Sequence, residues 1–148
     1  RFNESRSSKI IIGGMNKVLE CFYDEGDFLA GKSTTIVYNN PHLKVITAIL
    51  NSTLMSFYYA TFYNSMSLAG GFYRIGASQI KALPIAMPDD KATVETLENL
   101  VDEVRELLKS FQEHDDKVQN VLEQIDKIIY RFYGLTDNEI LCVENGQR

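Results

Sequence analysis

Eight residues carry the sharpest chemical pattern in the chain. Gly26-Asp27-Phe28-Leu29-Ala30-Gly31-Lys32-Ser33 satisfies the phosphate-loop spacing G-x-x-x-x-G-K-[ST] letter for letter. Such a loop binds nucleotides because it runs straight into a helix, whose first amides and dipole hold the phosphates. Here the continuation is Thr34-Thr35-Ile36-Val37-Tyr38, a β-branched run that prefers strand, and Pro41 follows closely. Asp24, Glu25 and Asp27 would repel phosphate, and no apolar strand ending in Asp is present to hold magnesium. A hairpin turn with a surface Lys32 accounts for the same letters, and nucleotide binding is set aside.

Asn39-Asn40-Pro41-His42 faintly echoes the Asn-Pro-Pro-aromatic motif that grips a flipped adenine in amino-methyltransferases, but it lacks the second proline and the aromatic. A helix start explains it fully. His42 and His114 stand alone, without partners at ligand spacing, so surface or cap-side places suit them better than metal or acid–base work. Cys21 and Cys142 lie far apart with no Cys-x-x-Cys, which implies neither a zinc site nor a disulfide framework and points to a reducing cytoplasm. The carboxylates gather late in the chain and read as a solvated face. No catalytic residue, metal site or cofactor is expected on this chain.

The basic and polar groups of the front half are more informative. Lys17, Lys32, Ser33, Tyr73, Arg74, Ser78, Gln79 and Lys81 fall in expected turns and short strands, where side chains reach out from a rigid core. Arg and Gln are the types that read guanine and adenine edges, while Lys and Ser hold phosphate. Scattered surface polarity is the plain alternative. The net charge of -5 argues against a polyanionic partner until it is divided. Residues 1–88 hold 8 Lys and Arg against 5 Asp and Glu, a balance of +3; residues 89–148 hold 7 against 15, a balance of -8. That asymmetry suits a polyanion-facing head on an acidic, solvated arm.

The elements that position these groups follow from periodicity. Lys9–Ile12, Lys17–Tyr23 and Thr34–Tyr38 read as strands of an antiparallel meander or small barrel-like sheet. Asn40 and Pro41 are good N-cap and first-turn residues for a broad apolar helix running to Tyr63. Lys44, Asn51, Ser52 and Ser56 interrupt that segment, so it reads as a buried core helix and not a membrane span. Gly70-Gly71 ends the segment, Phe72–Ile75 reads as a short strand, and Ser78 is placed to cap a turn through Lys81.

From Asp89 to Tyr133 there is neither Gly nor Pro, and apolar residues recur in a 3,4 spacing: Val94, Leu97, Val101, Val104, Leu108 and Phe111, then Val118, Leu122, Ile125, Ile129 and Phe132. This is one long rod or two helices broken near Glu113–Asp116. Two are favoured, because Asp115 or Asp116 would cap the second and a lone rod could not bury its own seam. Thr136 with Glu139 makes a capping box after a Gly134 stop. The fold class is therefore α+β: a small antiparallel sheet packed on a central apolar helix, then a helical hairpin or coiled-coil-like arm. The division is residues 1–88 for the head and 89–148 for the arm with its short tail. The chain opens Arg1-Phe2-Asn3-Glu4 with neither initiator Met nor signal peptide, and is expected to be part of a longer protein whose remainder carries the chemistry.

Three strings carry a family resemblance: Ala48–Tyr59 with Gly70-Gly71-Phe72-Tyr73-Arg74-Ile75 and Lys81-Ala82-Leu83-Pro84-Ile85; the front from Lys9-Ile10-Ile11-Ile12 to Leu29–Ser33; and the end, Ile125-Asp126 through Tyr133-Gly134-Leu135-Thr136. Together they resemble the C-terminal target-recognition domain of TaqI-like adenine-specific DNA methyltransferases and fused type IIG restriction-modification enzymes. The resemblance implies a specificity module that positions duplex DNA for base flipping by an N-terminal methyltransferase domain, with S-adenosylmethionine bound by that parent domain. It transfers no base-reading residue, because those vary within the family. The alternative is an interaction module whose arm self-associates or docks a partner subunit, as in type I specificity subunits.

Overall fold

In the computed structural model, which describes residues 6–64, 67–110 and 115–146, the first strand is the centre of the sheet. Strand β1 (Lys9–Gly13) buries Lys9 and all three isoleucines, Ile10 to Ile12. A strand buried on both faces takes the middle place, and the order is β3-β1-β4, all antiparallel. The expected meander is thereby corrected: β3 (Cys21–Asp24) and β4 (Thr34–Tyr38) flank β1 on opposite sides. The expected strand from Lys17 is also shorter. Lys17 and Val18 are exposed, and regular pairing begins at Cys21. Between β1 and β3 in the chain, β2 (Met15–Asn16) pairs with β5 (Tyr73–Arg74) in a separate two-stranded ribbon.

The broad apolar segment is two helices, not one. Helix α1 (Leu43–Leu50) buries every residue but Lys44, and α2 (Thr53–Phe62) leaves it at a bend of 62°. Asn51 and Ser52 make the break. The Asn51 amide accepts from Cys21 N at 2.8 Å and donates to Cys21 O at 2.8 Å, which draws residue 51 out of the helix toward the edge of β3. Ser52 Oγ donates to Ile49 O and accepts from Met55 N, capping α2. Asp126, far along the chain, bonds Thr53 N and Oγ1 as well. The start of α1 is also displaced by two residues: Asn40 Oδ1 accepts from His42 N, and the helix begins after that turn. Among the described residues no single helix is long and apolar enough to cross a membrane.

Helix α3 (Ala77–Lys81) is one turn. Helices α4 (Lys91–Lys109) and α5 (Asp115–Phe132) form the expected hairpin, and α6 (Asp137–Asn145) follows the Thr136–Glu139 capping box. Asp90 caps α4 through Thr93 N and Oγ1. Phe111, His114 and the expected break at Glu113 lie outside the described residues. Asp115 and Asp116 stand within the first turn of α5, where a negative charge suits the helix dipole. The hairpin's buried side is wider than a coiled-coil seam. Leu100 and Val121 are buried alongside Leu97, Val101, Ile125 and Ile129, whereas Leu108 is 68% exposed. The reason is that α4 packs on α1 as well as on α5, and one apolar core joins β1, α1, α4 and α5. Tyr133 ties the hairpin to the exit from the head: its hydroxyl donates to Pro84 O at 2.8 Å and accepts from Ala86 N at 3.0 Å.

Candidate nucleic-acid interface

The β2–β5 ribbon holds or adjoins three of the eight expected contact residues, Lys17, Tyr73 and Arg74, and turns Tyr73 to its packed face. Its register sets Met15 against Arg74 and Asn16 against Tyr73. Side chains alternate across a strand, so Met15 and Arg74 share one face, and Lys17 and Phe72 extend it. Lys17 Nζ stands 5.3 Å from the centre of the Phe72 ring, a cation–π contact that confirms the shared face. All four residues are exposed. The opposite face is the packed one: Tyr73 meets the buried Tyr59 ring edge to face at 5.7 Å, and Tyr59 Oη donates to Arg74 O at 2.8 Å. Burial, followed by the neighbouring Tyr63, pushes the Tyr59 phenol up to about 12, so it remains a donor.

Lys32 and Ser33 are brought to this ribbon by a close backbone approach. A Cβ on Gly14 would overlap Ser33 O, so only glycine lets the loop pass. Gly14 O also accepts from Ile75 N at 2.9 Å, closing the ribbon on the side of β5. Gly70 and Gly71, at φ 82° and 78°, shape the turn before Phe72, where Leu68 N donates to Phe72 O at 2.6 Å. Ser78, Gln79 and Lys81 sit on α3, directly after the ribbon. Ser78 does not cap that turn as expected. Gly76 is the N-cap, and Gln79 Oε1 accepts from Gly76 N at 3.0 Å and from Ser78 Oγ at 3.2 Å. Gln79 thus spends its carbonyl on the turn.

Among the described residues, Lys17, Lys32, Arg74 and Lys81 hold no carboxylate. Lys9 and Lys44, by contrast, are paired with Asp24 and Asp102. Unpaired cations beside exposed Met15 and Phe72 give a basic, partly apolar surface of the kind that phosphates and base edges fit. The sequence reading passed over Met15 and Phe72. The alternation Phe72-x-Arg74 is the signal that could have found Phe72.

The phosphate-loop letters form no phosphate site. Asp24 Oδ1 and Oδ2 accept from the amides of Asp27 and Phe28 at 3.1 and 3.3 Å, occupying donors that a phosphate would need. The chain then enters β4 with no helix after Ser33. His42 is an exposed residue at the start of α1, and the Cys21 thiol is pushed up by burial, far from a reactive range. No group of His, Cys, Asp or Glu among the described residues is arranged to hold a metal ion.

The small sheet, the bent core helix and the basic ribbon presented on that rigid support together define an α+β module. Residues 2–85 match the model of the TaqI-like C-terminal specificity domain, more than half the chain, and the protein belongs to that family. Its role is DNA recognition within a TaqI-like methyltransferase system. No curated protein matches the chain. All eight expected contact residues fall inside the matched segment.

Proposed function

We propose that this chain is the sequence-reading module of an adenine-N6 DNA methyltransferase, or of a fused type IIG restriction-modification enzyme, and that the β2–β5 ribbon is its DNA-facing edge. The observation that carries this reading is the single exposed ribbon face on which unpaired Lys17 and Arg74 lie beside Met15 and Phe72. The major groove of B-DNA admits a two-stranded β-ribbon. Arg74 has the planar fork that guanine or a phosphate accepts, and Lys17, Lys32, Ser33 and Lys81 suit the backbone. Phe72 and Met15 supply apolar contact of the type a thymine methyl group offers. Gln79, with its carbonyl engaged, is left to donate to an acceptor such as adenine N7.

In this reading no residue of the chain takes part in the covalent step. An N-terminal methyltransferase domain of the parent binds S-adenosylmethionine in the cytoplasm and receives the adenine flipped from the stack. The chain holds the duplex in register for it. Methylome sequencing of cells expressing the parent tests this, intact or carrying Arg74→Ala or Gln79→Ala. A changed motif or a reduced methylation level is expected; an unchanged motif and level in both variants removes them from recognition. A second reading, self-association through the arm, draws on Leu108, exposed on α4. Light scattering tests it: a dimer that Leu108→Asp converts to monomer is the supporting result.

A further inference from the structure

A second face of the molecule is suited to receive another chain. Strand β3 is an outer strand. Its register with β1, together with the bond from Gly13 N to Glu20 O, turns the main-chain groups of Cys21 and Tyr23 away from the sheet. At Cys21 both outward groups are met by the Asn51 amide, which stands where the main chain of a further strand would stand. At Tyr23 no such partner is present among the described residues. An unpaired edge of this kind is a template for an added strand.

Alongside that edge lies a cavity of about 740 Å³, walled on the far side by Val104 and Leu108 of α4 and Leu122 of α5. Glu123, Asp126 and Glu144 line it too. So does Tyr130, 3% exposed, whose buried hydroxyl lacks a hydrogen-bond partner although Thr53 and Glu144 are its neighbours. Neither Glu123 nor Glu144 holds a cation among the described residues. Of the two cations on the cavity wall, Arg105 is already engaged by Glu25 and Asp102; of the three carboxylates, Asp126 is engaged by Thr53, which leaves Lys127 against Glu123 and Glu144. The carboxylates do not converge as a metal's ligands would. Spread acceptors beside apolar walls fit a guanidinium or ammonium group on an aliphatic stem.

We propose that this groove binds an extended, basic segment of another polypeptide, whose main chain pairs with Tyr23 along the outer edge of β3 while an arginine or lysine side chain reaches Glu123, Glu144 and Tyr130. The strand edge suits a peptide, whose main chain offers Tyr23 the donor and acceptor that the Asn51 amide offers Cys21. The groove shares no residue with the β2–β5 ribbon, so it stands whether or not the ribbon reads DNA.

The test is a titration of the isotope-labelled chain with the blocked peptide Val-Arg-Val-Arg-Val, followed by amide chemical shifts. The expected result is a shift and exchange protection at Tyr23, with affinity roughly tenfold weaker for Glu123→Gln/Glu144→Gln. Both glutamates are exposed, so that variant keeps its fold, which its melting temperature checks. Arg74→Ala should bind the peptide as the parent chain does. Four results overturn the proposal: no shift at millimolar peptide; equal binding of Val-Glu-Val-Glu-Val; unchanged affinity in the double variant; or the same shifts from spermidine, which would make the occupant a small organic cation.

Discussion

Asp126 holds Thr53 at two points across 73 residues of chain: Oδ1 accepts from Thr53 N at 2.9 Å, and Oδ2 accepts from Thr53 Oγ1 at 2.6 Å. The carboxylate adds to the Ser52 cap on α2, so the arm fixes the bend between α1 and α2. Helix α2 carries Tyr59, and Tyr59 holds β5 by the Arg74 carbonyl. A continuous series of contacts therefore runs from the acidic arm to the basic ribbon.

Removing the first of these links should loosen the whole series. Asp126→Ala is expected to cost about 2 kcal/mol, roughly 1 kcal/mol for each of its two hydrogen bonds. Denaturant unfolding measures it. The first amides of α2 should lose exchange protection before those of α1.

Two aspartates should give opposite pH signatures. Burial, only partly offset by the Thr53 bonds, holds Asp126 above its ordinary 3.8. Its contribution is full below that value and is lost as pH rises through the folded value. The advantage of the parent chain over Asp126→Asn should therefore shrink as pH rises from about 3.8 toward neutrality. Asp24 behaves conversely. Burial alone would raise it, but the 2.6 Å bond from Lys9 and two amide bonds outweigh that and hold it low. Its contribution is present above the ordinary carboxylate value and lost as pH falls through the folded one. Lys9→Met, which strands Asp24 in the interior, should cost about 3–5 kcal/mol near neutral pH.

Tyr59→Phe separates positioning from contact. The variant keeps the ring against Tyr73 and loses only the bond to Arg74 O. A stability loss of about 1 kcal/mol should accompany weaker DNA binding, although Tyr59 is buried and touches no DNA in this account. Measuring the two together checks it. Unchanged affinity alongside lowered stability would mean that the ribbon needs no such anchor.

At the head-to-arm junction, Tyr133→Phe deletes both the bond to Pro84 O and the one from Ala86 N. A loss of about 1–2 kcal/mol is expected, with faster amide exchange at Ala86. Equal exchange in both proteins would show that packing alone holds the exit.

These links explain how much of the fold could be read from residues in order. Local signals carried well: Ile10–Ile12 as strand, the Thr136–Glu139 box, and the two-helix arm. The break at Asn51-Ser52 did not, because its partners are Cys21 and Asp126, 30 and 73 residues away, and helix periodicity continues across it. Strand order depends on which strand is buried on both sides, and Lys9 is misleading there: a lysine at the sheet centre is legible only once Asp24 is placed beside it. The site was legible by residue type at Lys17 and Arg74. What gathered them, and added Met15 and Phe72, was a four-residue ribbon between segments far apart in sequence.

The central claim is that Lys17, Lys32, Arg74 and Lys81 face DNA phosphates and bases, and salt tests it most directly. Each phosphate contact adds about 0.9 to the slope of log affinity against log salt. The measurement is duplex binding by this chain across a salt series, parent against the variant with all four residues changed to Ala. The account predicts weaker binding and a slope shallower by up to roughly 3–4. An identical slope and affinity in the two proteins would contradict it and move the DNA-binding surface elsewhere.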